Sequence, residues 1–298
     1  DSSFMQEIDQ WIEKNSQAFV KDLDRLVAIP SISVQGDEKY PFGKNCGDVL
    51  DEAVSLAAGY GFHVENHEYY CGSLLVKGTA KEPKRIGMYA HLDVVPAGNG
   101  WNTDPYDMVV KDGYLMGRGV VDNKGPLILT YYMGKFFKDL GNPLPYSLRM
   151  MAGCDEESGM EDVEYYIRHY EEPVFLFTPD SEFPLCNGEK GCLCGNFTSV
   201  RFKDGAILDF KGGMAHNAVA DQACAVIRTS LEQCPKADRI TVTGVDGGVR
   251  IEAAGIGGHA SHAEGTINAI GLIADYLLDN SLVTEEEEKF LKIKSEAK

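Results

Sequence analysis

Helical and strand patterns alternate along the first 190 residues, and this alternation restricts the possible folds more than any other feature of the chain. Apolar residues recur at near-helical spacing over 4–27, 48–60, 127–140 and 161–170. Apolar runs of strand length, bounded by glycine, proline and charged turns, lie at 62–70, 73–78, 85–91, 146–153 and 173–180. The last two runs are typical of buried strands. The alternation predicts an α/β domain with a central, largely parallel sheet flanked by helices.

The pattern changes from about residue 191 onward. Short segments of alternating polarity occur at 197–203, 206–213, 239–245 and 248–255, around a helical pattern at 220–233. We therefore predict a domain boundary near residue 190, with a first domain over 1–190 and a smaller α+β domain over 191–298.

Charge and cysteine content exclude several classes of protein. The chain has 28 basic and 46 acidic residues, a net charge of −18 that suits cations and argues against nucleic acid. No apolar run reaches the roughly 18 residues of a membrane helix. The start, DSSFMQEIDQWIEKN, lacks the basic and apolar regions of a signal peptide, so we predict a cytoplasmic protein without a membrane partner. The eight cysteines are scattered, and even Cys192 and Cys194 match no zinc-ribbon spacing.

A histidine and an aspartate interrupt the apolar run RIGMYAHLDVVP. His91 and Asp93 are two residues apart in an extended segment, so their side chains share a face. There a carboxylate can orient an imidazole whose other nitrogen binds a metal ion. The alternative is a histidine that only makes hydrogen bonds in the core.

Acidic residues recur where later strands end. Asp122 lies in GRGVVDNKG before a helix, Asp155, Glu156 and Glu157 lie in MAGCDEESG, and Asp180 lies in FLFTPDSEF. Carboxyl ends of parallel strands meet at one edge, where crowded carboxylates repel one another unless cations neutralise them. One imidazole with several oxygens suits zinc, or manganese or cobalt, and a carboxylate that bridges two ions would explain the surplus of ligands. As alternatives, Asp122 could cap the helix and Glu157 could be a solvated loop residue.

These motifs together resemble a known enzyme family. HLDVVP, GRGVVDNKG, CDEESG and TPDSEFPLCNGEKG are similar to successive motifs of the dinuclear metallopeptidases that include aminoacylases, carnosinases and bacterial dipeptidases. The most similar group is that of the cytoplasmic PepV-type Xaa dipeptidases, over roughly residues 5–275 and most densely over 86–191. The resemblance implies a catalytic domain, 1–190, with a mixed, largely parallel sheet, and an inserted α+β lid domain within 191–298.

Carried over motif by motif, the resemblance implies a ligand set for two divalent metal ions, most commonly zinc. His91 and Asp180 would bind one ion, Asp122 would be shared by both ions, and Glu157 would complete the set. The turn after Asp122 would hold a strained peptide to Asn123, which can be cis.

The resemblance also implies a reaction. A water that bridges the two ions would lose a proton to the general base Glu156, while Asp93 orients the imidazole of His91. The substrate would be a dipeptide, or alternatively an N-acyl amino acid for a deacylase or desuccinylase. A third alternative is a module that binds metal or dimerises without turnover.

Two further candidates lie in the second domain. KGGMAHNAVADQACA resembles a lid segment whose helix begins after an Asn-x-Val-Pro-Asp turn, which implies that Asn217 contacts substrate. GIGGHASHAEGTINAIG resembles a lid loop in which a histidine, here His259, stabilises the tetrahedral oxyanion. The alternative for His259 is a surface histidine in a glycine loop. Ala220 and Ala263 stand where the family commonly has proline.

The chain stops at EEEEKFLKIKSEAK, without the last histidine and the glycine-rich and arginine-bearing segments of the family. We expect either a piece of a longer protein or a shortened relative. A piece would leave the central sheet without its last elements and expose apolar surface. The oligomeric state would be a monomer or a homodimer formed through the lid.

Overall fold

The computed structural model describes residues 2–141, 144–182, 184–188, 191, 195–196, 198–200, 202–260 and 263–296. The chain divides into two compact units. The first unit comprises residues 1–97 and 101–189, and the second unit comprises residues 98–100 and 190–298. That these units act as a catalytic domain and a lid stays a prediction.

The first unit is built on a mixed sheet. Its helices are α1 (Ser2–Val27), α2 (Lys44–Gly59), α3 (Lys124–Asp139) and α4 (Glu161–His169). Its strands are β1 (His63–His67), β2 (Cys71–Val76), β3 (Arg85–His91), β4 (Val109–Lys111), β5 (Tyr114–Met116), β6 (Ser147–Gly153) and β7 (Phe175–Phe177). Five strands form a sheet of order β1-β2-β6-β3-β7, in which β3 pairs in parallel with β6 and β7, and β2 pairs antiparallel with β1 and β6. The predicted class, an α/β fold with a mixed sheet flanked by helices, is confirmed.

Alternate residues of the central strands pack in two different cores, because successive side chains of a strand point to opposite faces of the sheet. Met88 of β3 and Met150 of β6 are buried in the main core with residues of α2 and α3. Tyr89 and Met151, their neighbours in sequence, pack instead in a small cluster with Tyr166 of α4. The central strands are therefore covered on both faces.

The edge strand β7 differs from the sequence prediction. The run at 173–180 forms a strand only over Phe175–Phe177, and its three residues are 60%, 47% and 43% exposed. Among the described residues β7 pairs with β3 alone, and no helix packs extensively on either face of β7 to bury these side chains. The prediction of a buried strand is wrong here, because apolar content does not show whether a strand lies at the edge of a sheet.

The second unit has its own antiparallel sheet. Its elements are β8 (Ile207–Gly212), β9 (Ala218–Val219), β10 (Gln222–Ile227), β11 (Ile240–Val245), β12 (Gly248–Ala254), β13 (Gly258–His259), α5 (Ala269–Asp279) and α6 (Glu285–Glu296). Four strands follow the order β11-β12-β10-β8, and α5 packs Ile273 and Leu277 against Ala225 and Ile251.

The helix predicted at 220–233 is wrong. Residues 222–227 form strand β10, which pairs on both sides with β8 and β12, and a short 3-10 turn follows at Leu231–Gln233. Alternate residues Ala223, Ala225 and Ile227 are buried, so two flanking strands override the local helical pattern. The described residues within 197–203 also contain no strand.

A buried glutamate joins α6 to the loop before β8. The backbone N–H and the Oγ1 of Thr284 donate to Oε2 of Glu287 over 2.9 and 3.0 Å, an arrangement typical of a capping box. The same carboxylate accepts the backbone N–H groups of Ala206 and Ile207 at 3.0 and 2.9 Å. Burial by itself raises the pKa of Glu287, but the hydrogen bonds outweigh it and lower this pKa below its ordinary value.

We expect the substitution Glu287→Gln to lower the free energy of unfolding by about 1.5 to 3 kcal/mol at pH 7, because it removes the charge from these hydrogen bonds. The folded pKa lies below the ordinary value of 4.5, so the stabilisation is present above that value and is lost as the pH falls through the folded pKa. Urea unfolding at pH 7 and at lower pH, with amide exchange at Ala206 and Ile207, measures both effects. Glu286→Gln, at an exposed position, is the control. An equal loss in the control, or a loss independent of pH, would contradict the prediction.

Candidate metal centre

The parallel strands bring the predicted ligands to one edge of the first unit's sheet. His91 is the last residue of β3, Glu156 and Glu157 follow β6, and Asp180 follows β7. Asp122 lies two residues before the start of α3. These five residues are called the His91 cluster below. Their ligand atoms fall into two groups, His91 with Asp122 and Glu157, and His91 with Glu156 and Asp180, each with all atoms within 4.8 Å of one another.

The imidazole of His91 is fully buried and has a defined orientation. Its Nδ1 lies 2.9 Å from the backbone carbonyl oxygen of Asp93 and 3.3 Å from the Oδ1 of that residue. Because a carbonyl oxygen only accepts, Nδ1 carries the donated proton. Its Nε2 lies 3.1 Å from Asp122 Oδ1 and 3.4 Å from Asp180 Oδ2. Nε2 is therefore the nitrogen that faces the carboxylates.

The carboxylates of the cluster perturb one another. Burial, reinforced by neighbouring aspartates and opposed by His91, raises the pKa of Glu156 and of Glu157 to about 7. Burial disfavours a charged His91, but hydrogen bonds to Asp122, Asp180 and Asp93 outweigh it and raise the imidazole pKa above its ordinary 6.5. A divalent cation can replace the proton held between Nε2 and the carboxylates, and it would neutralise their repulsion. One imidazole with four carboxylates thus fits a divalent metal site.

Asp93 does more than orient the histidine. Its carboxylate is fully buried and accepts the backbone N–H groups of Glu156 at 3.2 Å and of Glu157 at 3.0 Å. One side chain therefore contacts both His91 and the backbone of the two glutamates.

Sequence reasoning missed Asn123, whose side chain links two members of the cluster. Its Oδ1 accepts the backbone N–H of His91 at 3.3 Å, and its Nδ2 donates to Asp180 Oδ1 at 2.9 Å. The peptide between Asp122 and Asn123 is cis, in agreement with the resemblance. Asn123 occupies the N-cap position of α3, which does not support the alternative that Asp122 is the cap. A polar residue beside Asp122 was the available signal, but the two contacts of its side chain are with residues 32 and 57 positions away in sequence.

Asp155 stands apart from its two glutamate neighbours. Its carboxylate accepts the hydroxyl of Ser33 at 2.6 Å and the backbone N–H of Glu161 at 3.1 Å. It belongs to neither group of candidate ligand atoms. Among the three consecutive acids, Asp155 therefore shapes the turn, and the other two face the cluster.

The two candidates of the second unit lie next to each other. His259 of β13 pairs with Ala218 of β9, and the backbone N–H of Ala260 donates to the carbonyl of Asn217 at 2.7 Å. His259 is exposed and Asn217 is partly buried. The helix expected after Asn217 is wrong, since β9 and β10 follow instead. The roles of Asn217 and His259 stay predictions. Cys192, Cys194 and His262, the second histidine of GIGGHASHAEGTINAIG, lie outside the described residues.

Comparison with known proteins gives a consistent result. The model of peptidase family M20/M25/M40 matches residues 87–273. A Beta-Ala-Xaa dipeptidase of Lactobacillus delbrueckii subsp. lactis is 35% identical over 221 residues, which cover 72% of this chain and 46% of the relative. The putative dipeptidase YtjP of Bacillus subtilis strain 168 is 30% identical over 287 residues, 90% of this chain and 61% of the relative.

A solved structure is similar to part of the chain. The crystal structure of human carnosine dipeptidase 1 matches with a TM-score of 0.50 and 27% identity, over 59% of this chain and 41% of that chain. The chain spans about half the length of the curated relatives it matches, 46% and 61% for the two named above.

Proposed function

The chain belongs to peptidase family M20/M25/M40, and from this membership we propose that it is a metal-dependent hydrolase that cleaves dipeptides. The observation that supports this most is the placement of Glu156. Its Oε2 lies 3.6 Å from His91 Nε2, within a group of candidate metal ligands, and its pKa is raised by burial to about 7. A carboxylate with this pKa beside a metal site is suited to accept a proton near neutral pH.

We propose that two divalent cations bind in the His91 cluster, with zinc as the first candidate and manganese or cobalt as alternatives. His91, Asp122, Glu157 and Asp180 would hold them. When bound, such cations would make a water molecule more acidic and polarise the scissile carbonyl group.

The chain's own residues would handle the proton. Glu156 would accept a proton from water and deliver it to the departing amine. Asp93 would keep Nδ1 of His91 protonated and hold the backbone of both glutamates, as its hydrogen bonds suggest. The adjacency of Glu156 and Glu157 allows one carboxylate to bind metal while its neighbour remains free to exchange protons.

Asn217 and His259 are proposed to act on the substrate. Asn217 would contact the substrate, and His259 would stabilise the oxyanion that forms when the amide is attacked. Asn217 directly precedes β9, which pairs with His259 of β13, and this adjacency supports a shared role.

The ligand and the assembly of the whole protein are also proposals. A small peptide or N-acyl amino acid would be its ligand, and a monomer or a homodimer formed through the lid would be its assembly. Within the described part of the chain, no helix combines the length and the hydropathy that a bilayer span requires. A cytoplasmic location stays a prediction.

A matched pair of substrates separates a dipeptidase from an N-acyl amino acid hydrolase. β-Alanyl-alanine and N-propionyl-alanine differ only in the terminal amino group. We expect the metal-loaded protein to hydrolyse the dipeptide with a kcat/KM at least about tenfold higher, because a site built to bind an amino group discriminates against an analogue without it. Release of alanine from each compound, measured separately and in competition, gives this ratio. An equal or inverted ratio would favour the deacylase alternative.

A further inference from the structure

The loop that carries Glu156 and Glu157 is held by its backbone. Four consecutive N–H groups, from residue 154 to residue 157, donate to two buried carboxylates. The last two N–H groups donate to Asp93, and the first two donate to a residue that neither the motifs nor the ligand set include, Asp162. The position of both glutamates therefore depends on two carboxylates, and only one of these contacts His91.

Asp162 is the second residue of α4 and is fully buried. Its Oδ2 accepts the backbone N–H of Cys154 at 2.8 Å and that of Asp155 at 3.4 Å. The same oxygen accepts the hydroxyl of Tyr89 at 2.8 Å, and Oδ1 accepts the N–H of Val163 at 2.8 Å. Burial raises the pKa of Asp162 to about 6, and the hydrogen bonds from Tyr89, Val163 and Cys154 oppose this rise because they favour the ionised carboxylate.

The end of β6 is shaped to admit this carboxylate. A Cβ atom at Gly153 would lie 2.2 Å from Asp162 Oδ2 and 2.2 Å from the Tyr89 hydroxyl oxygen, closer than such atoms can approach. Glycine at this strand end therefore allows the Asp162 and Tyr89 side chains to meet directly beneath the loop. Tyr89 lies two residues before His91 on β3. One hydrogen-bonded unit thus connects β3, the end of β6 and α4.

We propose that Asp162 is a positioning residue of the His91 cluster, whose carboxylate fixes the backbone of residues 154 and 155 and so directs Glu156 and Glu157 toward His91. This inference rests on the proposed function, because it takes the cluster to be a metal site. Asp162 touches neither metal nor substrate in this proposal and acts through the loop. Partners that orient metal ligands in this way commonly affect both metal affinity and turnover.

The test uses Asp162→Asn, which keeps the shape of the side chain and removes its charge. We expect the dissociation constant for zinc, measured by competition with a chelating dye, to rise by about 10- to 100-fold. We expect kcat for dipeptide hydrolysis to fall by about 10- to 100-fold with KM changed by less than about threefold, because a displaced Glu156 affects the transition state more than substrate binding.

Glu287→Gln is the matched control. Glu287 is also a buried carboxylate that accepts backbone N–H groups, but in the second unit. The Glu287→Gln variant should be less stable than the unsubstituted protein, with unchanged zinc affinity and kcat. If Asp162→Asn does not fold, Tyr89→Phe removes one donor from the same carboxylate, and zinc should then bind about fivefold more weakly, the effect of one hydrogen bond.

Two contrary results are distinguishable. If the unsubstituted protein binds zinc and hydrolyses dipeptides, but Asp162→Asn, or Tyr89→Phe in its place, has unchanged zinc affinity and kcat, the positioning role is overturned and the proposed function stands. If the unsubstituted protein binds no divalent metal, the proposed function fails and this inference fails with it.

Discussion

Replacement of Glu156 by glutamine should lower kcat for dipeptide hydrolysis by about a hundred- to ten-thousand-fold, the usual contribution of a general base. Glutamine keeps the size and the backbone hydrogen bond to Asp93 but cannot accept a proton from water. His91, Asp122, Glu157 and Asp180 remain in the variant, so the bound metal should also remain. The expected result is therefore a protein that is loaded with metal and nearly inactive.

The measurement combines initial rates with elemental analysis of the same samples. Glu172→Gln changes an exposed acid of the first unit and serves as the control, with full activity expected. Unchanged turnover in Glu156→Gln would remove Glu156 from the mechanism. If neither the unsubstituted protein nor Glu156→Gln hydrolyses peptides while both retain metal, a metal-binding module without turnover becomes the better description.

Replacement of Asp122 by alanine should reduce the divalent metal content from about two ions per chain to less than one, since this carboxylate is proposed to serve both ions. The Oδ1 of Asp122 lies 3.1 Å from His91 Nε2, nearer than any other carboxylate oxygen measured to that nitrogen. Its loss removes the carboxylate oxygen that lies nearest to Nε2. Hydrolysis should fall below detection together with the metal.

Metal content is measured after gel filtration of zinc-loaded protein. Asp107→Ala, at an exposed aspartate of the first unit, should keep the content of the unsubstituted chain. Retention of two ions by Asp122→Ala would contradict its role as the shared ligand. One ion or none in the unsubstituted chain would contradict the proposal of two metals for this chain.

Local patterns were sufficient for much of the fold and the cluster. The helices at 2–27, 44–59, 124–139 and 161–169 and the central strands follow the apolar periodicity, because burial of one face demands a regular spacing of apolar residues. The acids at the strand ends were also visible, since parallel strands bring their carboxyl ends to one edge. For the same reason, the residues of the His91 cluster could be predicted from the sequence to lie close together.

Predictions failed where a neighbour in space decides the outcome. Residues 222–227 became a strand because β8 and β12 pair with it on both sides, which no local window contains. β7 is exposed because it lies at the edge of the sheet, and strand order is a property of the assembled unit.

The sequence by itself determined the helices and central strands of the first unit, because these follow residue spacing along single segments, and it placed the acids beside His91, because parallel strands end at one edge of the sheet. Only the tertiary structure decided how the gathered residues are held. Asn123 links His91 to Asp180, and Asp162 reaches Tyr89 across 73 positions of sequence. Such hydrogen bonds depend on packing between distant segments, and a buried carboxylate or amide finds its donors only after those segments meet.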